Sequence, residues 1–209
     1  MDTFSICVAL GPLSIYLILI GMLNLSRRSF LVNGMRDTAA MCAACSGLIF
    51  VGPVRLFYPM NAAIQFGPFV WLFLLILYVL VVLLIILSQP PRLVIYNISS
   101  EQFRIILADV VGKLDPQVRW AGEGLYLPKL GVNLHLERWG TIRNVLLLSS
   151  GPNQNRDGWQ MLENALRREF QKSIAGRNSM GLVLTLIGIG LLIFVLFSLL
   201  YSPLNISIA

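Results

Sequence analysis

His135 is the only histidine in the chain, and Glu137 follows two positions later. On a strand, residues two apart share a face. The pair therefore offers a general base with a neighbouring carboxylate, or two ligands toward a metal. A catalytic triad would need a placed nucleophile as well, and a structural zinc site needs more thiols or imidazoles than this region holds. Polar residues alternating along a solvated strand account for the pair equally well.

Cys42-Ala43-Ala44-Cys45 is a CxxC spacing. That spacing serves redox chemistry in thioredoxin-like settings, but here it lies in an Ala-rich apolar segment with no strand before it. On a helix the two sulfurs fall on adjacent turns of one face, beside Met41, an arrangement open to a soft metal. Small, soft residues in a helix contact are the simpler account. The third cysteine, Cys7, leaves no disulfide framework. Ser26-Arg27-Arg28-Ser29-Phe30-Leu31 is similar to a twin-arginine export signal. A full apolar segment precedes it, however, and Arg55 interrupts the apolar stretch that follows. Two arginines closing a short loop explain it with less.

Larger motifs are missing. The sequence has no P-loop, no dinucleotide-binding glycine pattern, no HExxH and no GxSxG, so no cofactor is expected. The pI is about 9.6, yet the basic residues form no stripe with interleaved aromatics, and no nucleic-acid partner is expected.

Composition identifies the elements that must hold these residues. Of 209 residues, 56% are hydrophobic and 12% charged, with mean hydropathy +0.76. Soluble domains carry about 25% charged residues. Residues 1–91 hold six Asp, Glu, Lys or Arg side chains, residues 92–177 hold twenty, and residues 178–209 hold none. This partition predicts a multi-pass α-helical membrane protein with four transmembrane helices and an inserted small α+β domain.

Crossing the hydrocarbon core takes about 20 apolar residues. Segments 6–25, 69–88 and 180–200 meet this with no charge. Segment 38–58 is the fourth span; it carries Pro53, expected to kink the helix near Phe50, and Arg55, whose apolar stem lets it snorkel. A re-entrant hairpin is the alternative for 38–58, but only four crossings put the basic loops on one side. Met1–Ile6 lacks a basic region and contains Asp2, so the first segment is expected to remain as an anchor. Nine basic residues lie in loop 26–37 or within about 16 residues of the two membrane anchors of domain 90–177, the window in which the rule applies: Arg27, Arg28, Arg36, Arg92, Arg104, Arg167, Arg168, Lys172 and Arg177. Only Arg55 lies opposite. The positive-inside rule then places both termini outside and residues 90–177 in the cytoplasm, with a bacterial inner membrane fitting the short loops.

Within 90–177, Pro90-Pro91 ends the third span and 92–96 reads as a strand. Ser99 with Gln102 opens a helix whose apolar face holds Phe103, Ile106, Leu107, Val110, Val111 and Leu114. Segments 118–121 and 125–128 flank Gly122-Glu123-Gly124 as a hairpin, 131–138 alternates strictly, and 142–149 is a further strand. Trp159, Leu162, Leu166 and Phe170 then mark a second amphipathic helix. Two helices covering an antiparallel sheet of three to five strands is the expected packing.

The domain holds twelve basic and eight acidic residues. A net +4 beside a membrane favours anionic headgroups at about 1 kcal/mol per well-placed cation. Arg27, Arg28, Arg36, Arg92, Lys172 and Arg177 are the expected contacts with such a lipid bilayer, although charge sorting alone also explains them. Ala40, Ala44 and Gly47, and Gly181, Thr185 and Gly188, form small-residue stripes suited to close helix packing, within the chain or in a homo-oligomer. The expected function is a non-enzymatic scaffold, assembly factor or accessory subunit whose α+β domain docks a protein partner or the membrane surface. A sensor or regulator, and an enzyme using His135 and Glu137 on a lipid-like substrate, are the alternatives.

Overall fold

The computed structural model describes residues 3–26, 28–139, 144–152, 154–171 and 178–201. They form two compact units, one of helices and one built around a sheet.

Helix α1 (Thr3–Leu25), helix α2 (Gly34–Ile49) with its π-helical continuation (Phe50–Val54), short helix α3 (Met60–Phe66), helix α4 (Phe69–Ser88) and helix α7 (Ser179–Tyr201) are the long apolar elements and their connector. Four of them, counting α2 through Val54, are long and apolar enough to cross a membrane. The π turn falls where Pro53 sits. Proline has no N–H to give to Ile49 one α-turn back, and a turn bonded i→i+5 carries the helix past the missing donor.

Pro12 creates the same deficit inside α1, at the carbonyl of Val8. Gly47 of α2 lies against that carbonyl: a Cβ there would be 1.8 Å from the Val8 oxygen. The glycine hydrogen in its place points at an oxygen that Pro12 cannot serve, a Cα–H···O contact between helices. Gly188 of α7 fits against Ser14 and Ile18 of α1 in the same way, its Cβ position 2.7 Å from the Ile18 side chain. Van der Waals contact between close backbones is the main association force where lipid competes equally for apolar side chains.

The second unit contains a six-stranded antiparallel sheet, one strand more than the longest sheet expected. Its strands are β1 (Phe30–Asn33), β2 (Arg92–Tyr96), β3 (Arg119–Ala121), β4 (Gly124–Leu127), β5 (Val132–Trp139) and β6 (Asn144–Ser149), in the order β1-β2-β6-β5-β4-β3. The additional strand, β1, comes from the connection between α1 and α2, a segment whose sequence reads as a loop. It pairs with β2 in the register Phe30↔Tyr96 to Asn33↔Leu93.

Helices α5 (Ser100–Leu114) and α6 (Arg156–Phe170) cover one face of this sheet. Ser99 caps α5, its hydroxyl accepting from the Gln102 N–H, and Asn155 caps α6 by accepting from Asp157 and Gly158. Phe103 stacks on Phe170 with ring centroids 6.1 Å apart, and Trp159, Leu162 and Leu166 complete the α6 face. Each such side chain contributes roughly 1.5–3 kcal/mol by leaving water. Asp115 ends α5 fully buried, its carboxylate accepting from the Gln117 and Lys129 N–H groups at 3.0 and 2.7 Å. The β3–β4 hairpin turns through Gly122-Glu123, with φ +63° at Gly122, the positive value that the first position of a type II′ turn requires.

Candidate docking surface and associated sites

Strand β3 lies at the outer edge of the sheet, and all three of its residues are exposed. The outer backbone groups of Arg119, Trp120 and Ala121 have no strand partner among the described residues. Trp120 points toward the helix-covered side, since it pairs with buried Leu125. It lies past the end of the core and keeps 37% of its surface. The Arg104 guanidinium, carried by α5, stands 5.6 Å from the Trp120 ring centroid, in cation–π geometry. Ser100, Gly122, Glu123 and Leu136 complete a shallow notch around the two. Tryptophan and arginine are the side chains most enriched where protein contacts concentrate their energy, and an open edge strand is a template for further pairing. Neither residue was singled out as a docking group from sequence; Trp120 stands just before a glycine hairpin, but no local pattern ties it to Arg104 on α5.

Of the cations expected at the membrane surface, Arg28 and Arg36 are exposed and Arg92 is half-buried. The stem of Arg92 packs over Gly34, where a Cβ would lie 2.0 Å from the Arg92 Cγ. Arg167 is bonded to Glu163 at 2.9 Å, and Arg168 is exposed. Arg27, Lys172 and Arg177 lie outside the described residues.

His135 and Glu137 are both exposed on β5, His135 opposite Gly124 and Leu148 and Glu137 opposite Leu146. The strand neighbours thus bring no nucleophile and no third ligand to the pair. Cys42 and Cys45 are half-buried thiols lining one groove with Met41 and Tyr78. The Tyr78 hydroxyl donates to the Cys42 backbone carbonyl at 2.7 Å. No cluster of three His, Cys, Asp or Glu side chains occurs among the described residues.

The small-residue stripes divide by burial. Ala44 (4% exposed) is buried and Gly47 meets α1, whereas Ala40 is exposed. Gly181 lies against the last turn of α1, its Cβ position 2.8 Å from the Leu25 nitrogen. Thr185 is half-buried between Gly181 and Gly188. Beside Gly181, Asn178 caps α7 by accepting from the Met180 N–H and donates to Asn24 of α1 at 3.2 Å, both side chains being buried. Within the helical unit, Phe4, Ser5, Val8, Phe50, Val51, Arg55 and Trp71 line a cavity of about 570 Å³, and the Arg55 guanidinium donates to the Ser5 hydroxyl at 2.8 Å.

No family model matches the chain, and no curated protein and no solved structure matches it.

Proposed function

We propose that the chain is a non-enzymatic membrane-anchored docking protein, a scaffold or accessory subunit whose α+β domain holds a protein partner at the membrane surface. The observation that supports this reading best is the stitching of the domain to its anchors. The sheet unit takes in the last turn of α1, the whole of β1, the first residues of α2 and the first turn of α7. Only three residues separate the end of α4 from the start of β2. Among the described residues, short connections join the domain to α1, α2 and α4, so in this reading anything bound to it is held close to the bilayer.

In this reading the four apolar helices cross a bacterial inner membrane with both termini outside. The exposed Arg28, Arg36 and Arg168 face anionic headgroups. Trp120 and Arg104, at the free edge of the sheet, contact the partner, which is another protein or a second copy of this chain. The sensor alternative draws on one observation: β1 passes directly into α2 at Asn33–Gly34, so a shift of that helix would pull on the sheet.

A photo-crosslinking residue in place of Ala121, in the full-length protein and in its native membrane, tests the reading. The expected result is one adduct of defined mass, lost on Trp120→Ala, with twice the mass of the chain if the partner is a second copy. No adduct, together with a lone monodisperse protein in mild detergent, overturns it.

A further inference from the structure

The helical unit contains one basic side chain. Across residues 1–20, 38–88 and 183–209, Arg55 is the sole Lys or Arg. It is also the one cation that the charge distribution places opposite the other nine. About 21 helical residues separate it from Gly34 at the start of α2, or about 30 Å at 1.5 Å per residue, one hydrocarbon thickness. In the four-span reading Arg55 therefore stands at the headgroup level across the membrane from the basic loops.

Its surroundings have the form of a site. Arg55 lines the 570 Å³ cavity, a volume within the usual range for small-ligand pockets. The polar side chains in the lining are Arg55 and Ser5, and Ser5 is more than nine-tenths buried. Their hydrogen bond holds the guanidinium against the Ser5 wall. The remaining wall is Phe4, Val8, Phe50, Val51 and Trp71. Trp71 is held in place by stacking on Tyr58, with centroids 5.0 Å apart. The π turn over Phe50–Val54 carries Phe50 and Val51 to the wall, and π turns recur at functional sites.

We infer that this cavity binds one anionic phospholipid, its phosphate on Arg55 and an acyl chain against Phe50, Val51 and Trp71. A planar guanidinium matches a phosphate with two parallel hydrogen bonds. An apolar wall in the same cavity as the charge favours an amphiphile over a free anion. This inference is independent of the docking reading, since it involves neither the sheet nor its edge.

The test uses delipidated full-length protein in a neutral detergent, titrated separately with phosphatidylglycerol, phosphatidylcholine and inorganic phosphate. Native mass spectrometry counts bound molecules, and tryptophan fluorescence follows affinity. The expected result is one phosphatidylglycerol per chain, retained in preference to phosphatidylcholine. Binding weakens about tenfold in Arg55→Gln, the loss expected when a charge-assisted hydrogen bond to an anion is removed, and less in Arg55→Lys. Val51→Phe, which fills the apolar wall, weakens it too, whereas Arg28→Gln combined with Arg36→Gln leaves that lipid in place. Equal retention of the two lipids, or unchanged binding in Arg55→Gln, overturns the inference. Inorganic phosphate binding as tightly as the lipid overturns it in favour of a free anion. Should Arg55→Gln fail to fold, the wild-type comparison of the two lipids and the Val51→Phe variant decide.

Discussion

Replacing Gly47 by alanine tests the contact between α1 and α2 with a single methyl group. The added carbon would sit 1.8 Å from the Val8 carbonyl oxygen, 2.8 Å from its carbon and 3.2 Å from the Ala9 Cα. Real Cβ contacts essentially never fall below 3.0 Å, so the two backbones must separate locally by about 1.2 Å. All three atoms belong to backbone, and no side-chain rotation relieves the clash. Overpacking of this kind costs about 1–3 kcal/mol, and the Cα–H···O contact to the Val8 carbonyl is lost with it, about 0.5–1 kcal/mol more. Alanine returns up to about 1 kcal/mol of helix propensity. The net expectation is a loss of about 1–3 kcal/mol, or roughly 3–10 °C in melting temperature for a chain of this size. The assay is thermal unfolding of full-length protein in one detergent. Gly190→Ala of α7 serves as the control, because its Cβ position has no neighbouring atom within 4 Å; it should be neutral or slightly stabilising. If Gly47→Ala melts within 1 °C of Gly190→Ala, the close approach of α1 and α2 is wrong.

Three further outcomes follow from groups outside that contact. Asn178→Ala removes both the cap of α7 and the hydrogen bond to Asn24; a loss of about 1–3 kcal/mol is expected, with Asn178→Ser, which keeps a capping oxygen, recovering part of it in the same melts. Asp115→Ala leaves the backbone N–H groups of Gln117 and Lys129 without their carboxylate acceptor, and hydrogen–deuterium exchange at those two amides should rise at least tenfold while amides within α1 stay unchanged. The Lys113 ammonium is held above its ordinary pKa, chiefly by its hydrogen bond to Asp109. Its contribution to stability is therefore complete at neutral pH and fades only as pH rises through the raised value; NMR titration of Lys113 should move back toward the ordinary lysine range in Asp109→Asn.

Local patterns in the sequence carry much of this fold. The charge-free stretches are long helices in the structure, Arg92–Tyr96 is a strand, and Ser99 caps the helix that its spacing with Gln102 announces. Pro53 has its effect at Phe50, as a π turn. Each of these depends on residues close together in the chain. Strand β1 was not legible because Phe-Leu-Val-Asn is four residues long, follows a pair of arginines, and finds its partner strand about 60 residues later. A loop and a short edge strand share that composition, and only pairing tells them apart. The candidate sites divide the same way. His135 and Glu137 are conspicuous in the sequence because they are polar on a regular strand. Arg104 with Trp120, and Arg55 with Ser5, are pairs between elements; no spacing rule links positions 16 or 50 residues apart.

The pairing of β1 with β2 also sets an order of events during synthesis. Phe30 leaves the ribosome 66 residues before its partner Tyr96, a wait of roughly 3–13 s at usual elongation rates. In that interval α2 and α4 emerge and, in the four-span reading, insert. The sheet of the domain cannot close until both have been synthesised, which in that reading makes completion of the sheet a checkpoint on insertion. A polypeptide beginning at residue 90 would bypass that checkpoint, but it would present the open edge of β2 from Leu93 to Tyr96 to any other strand, the ordinary route to edge-to-edge aggregation.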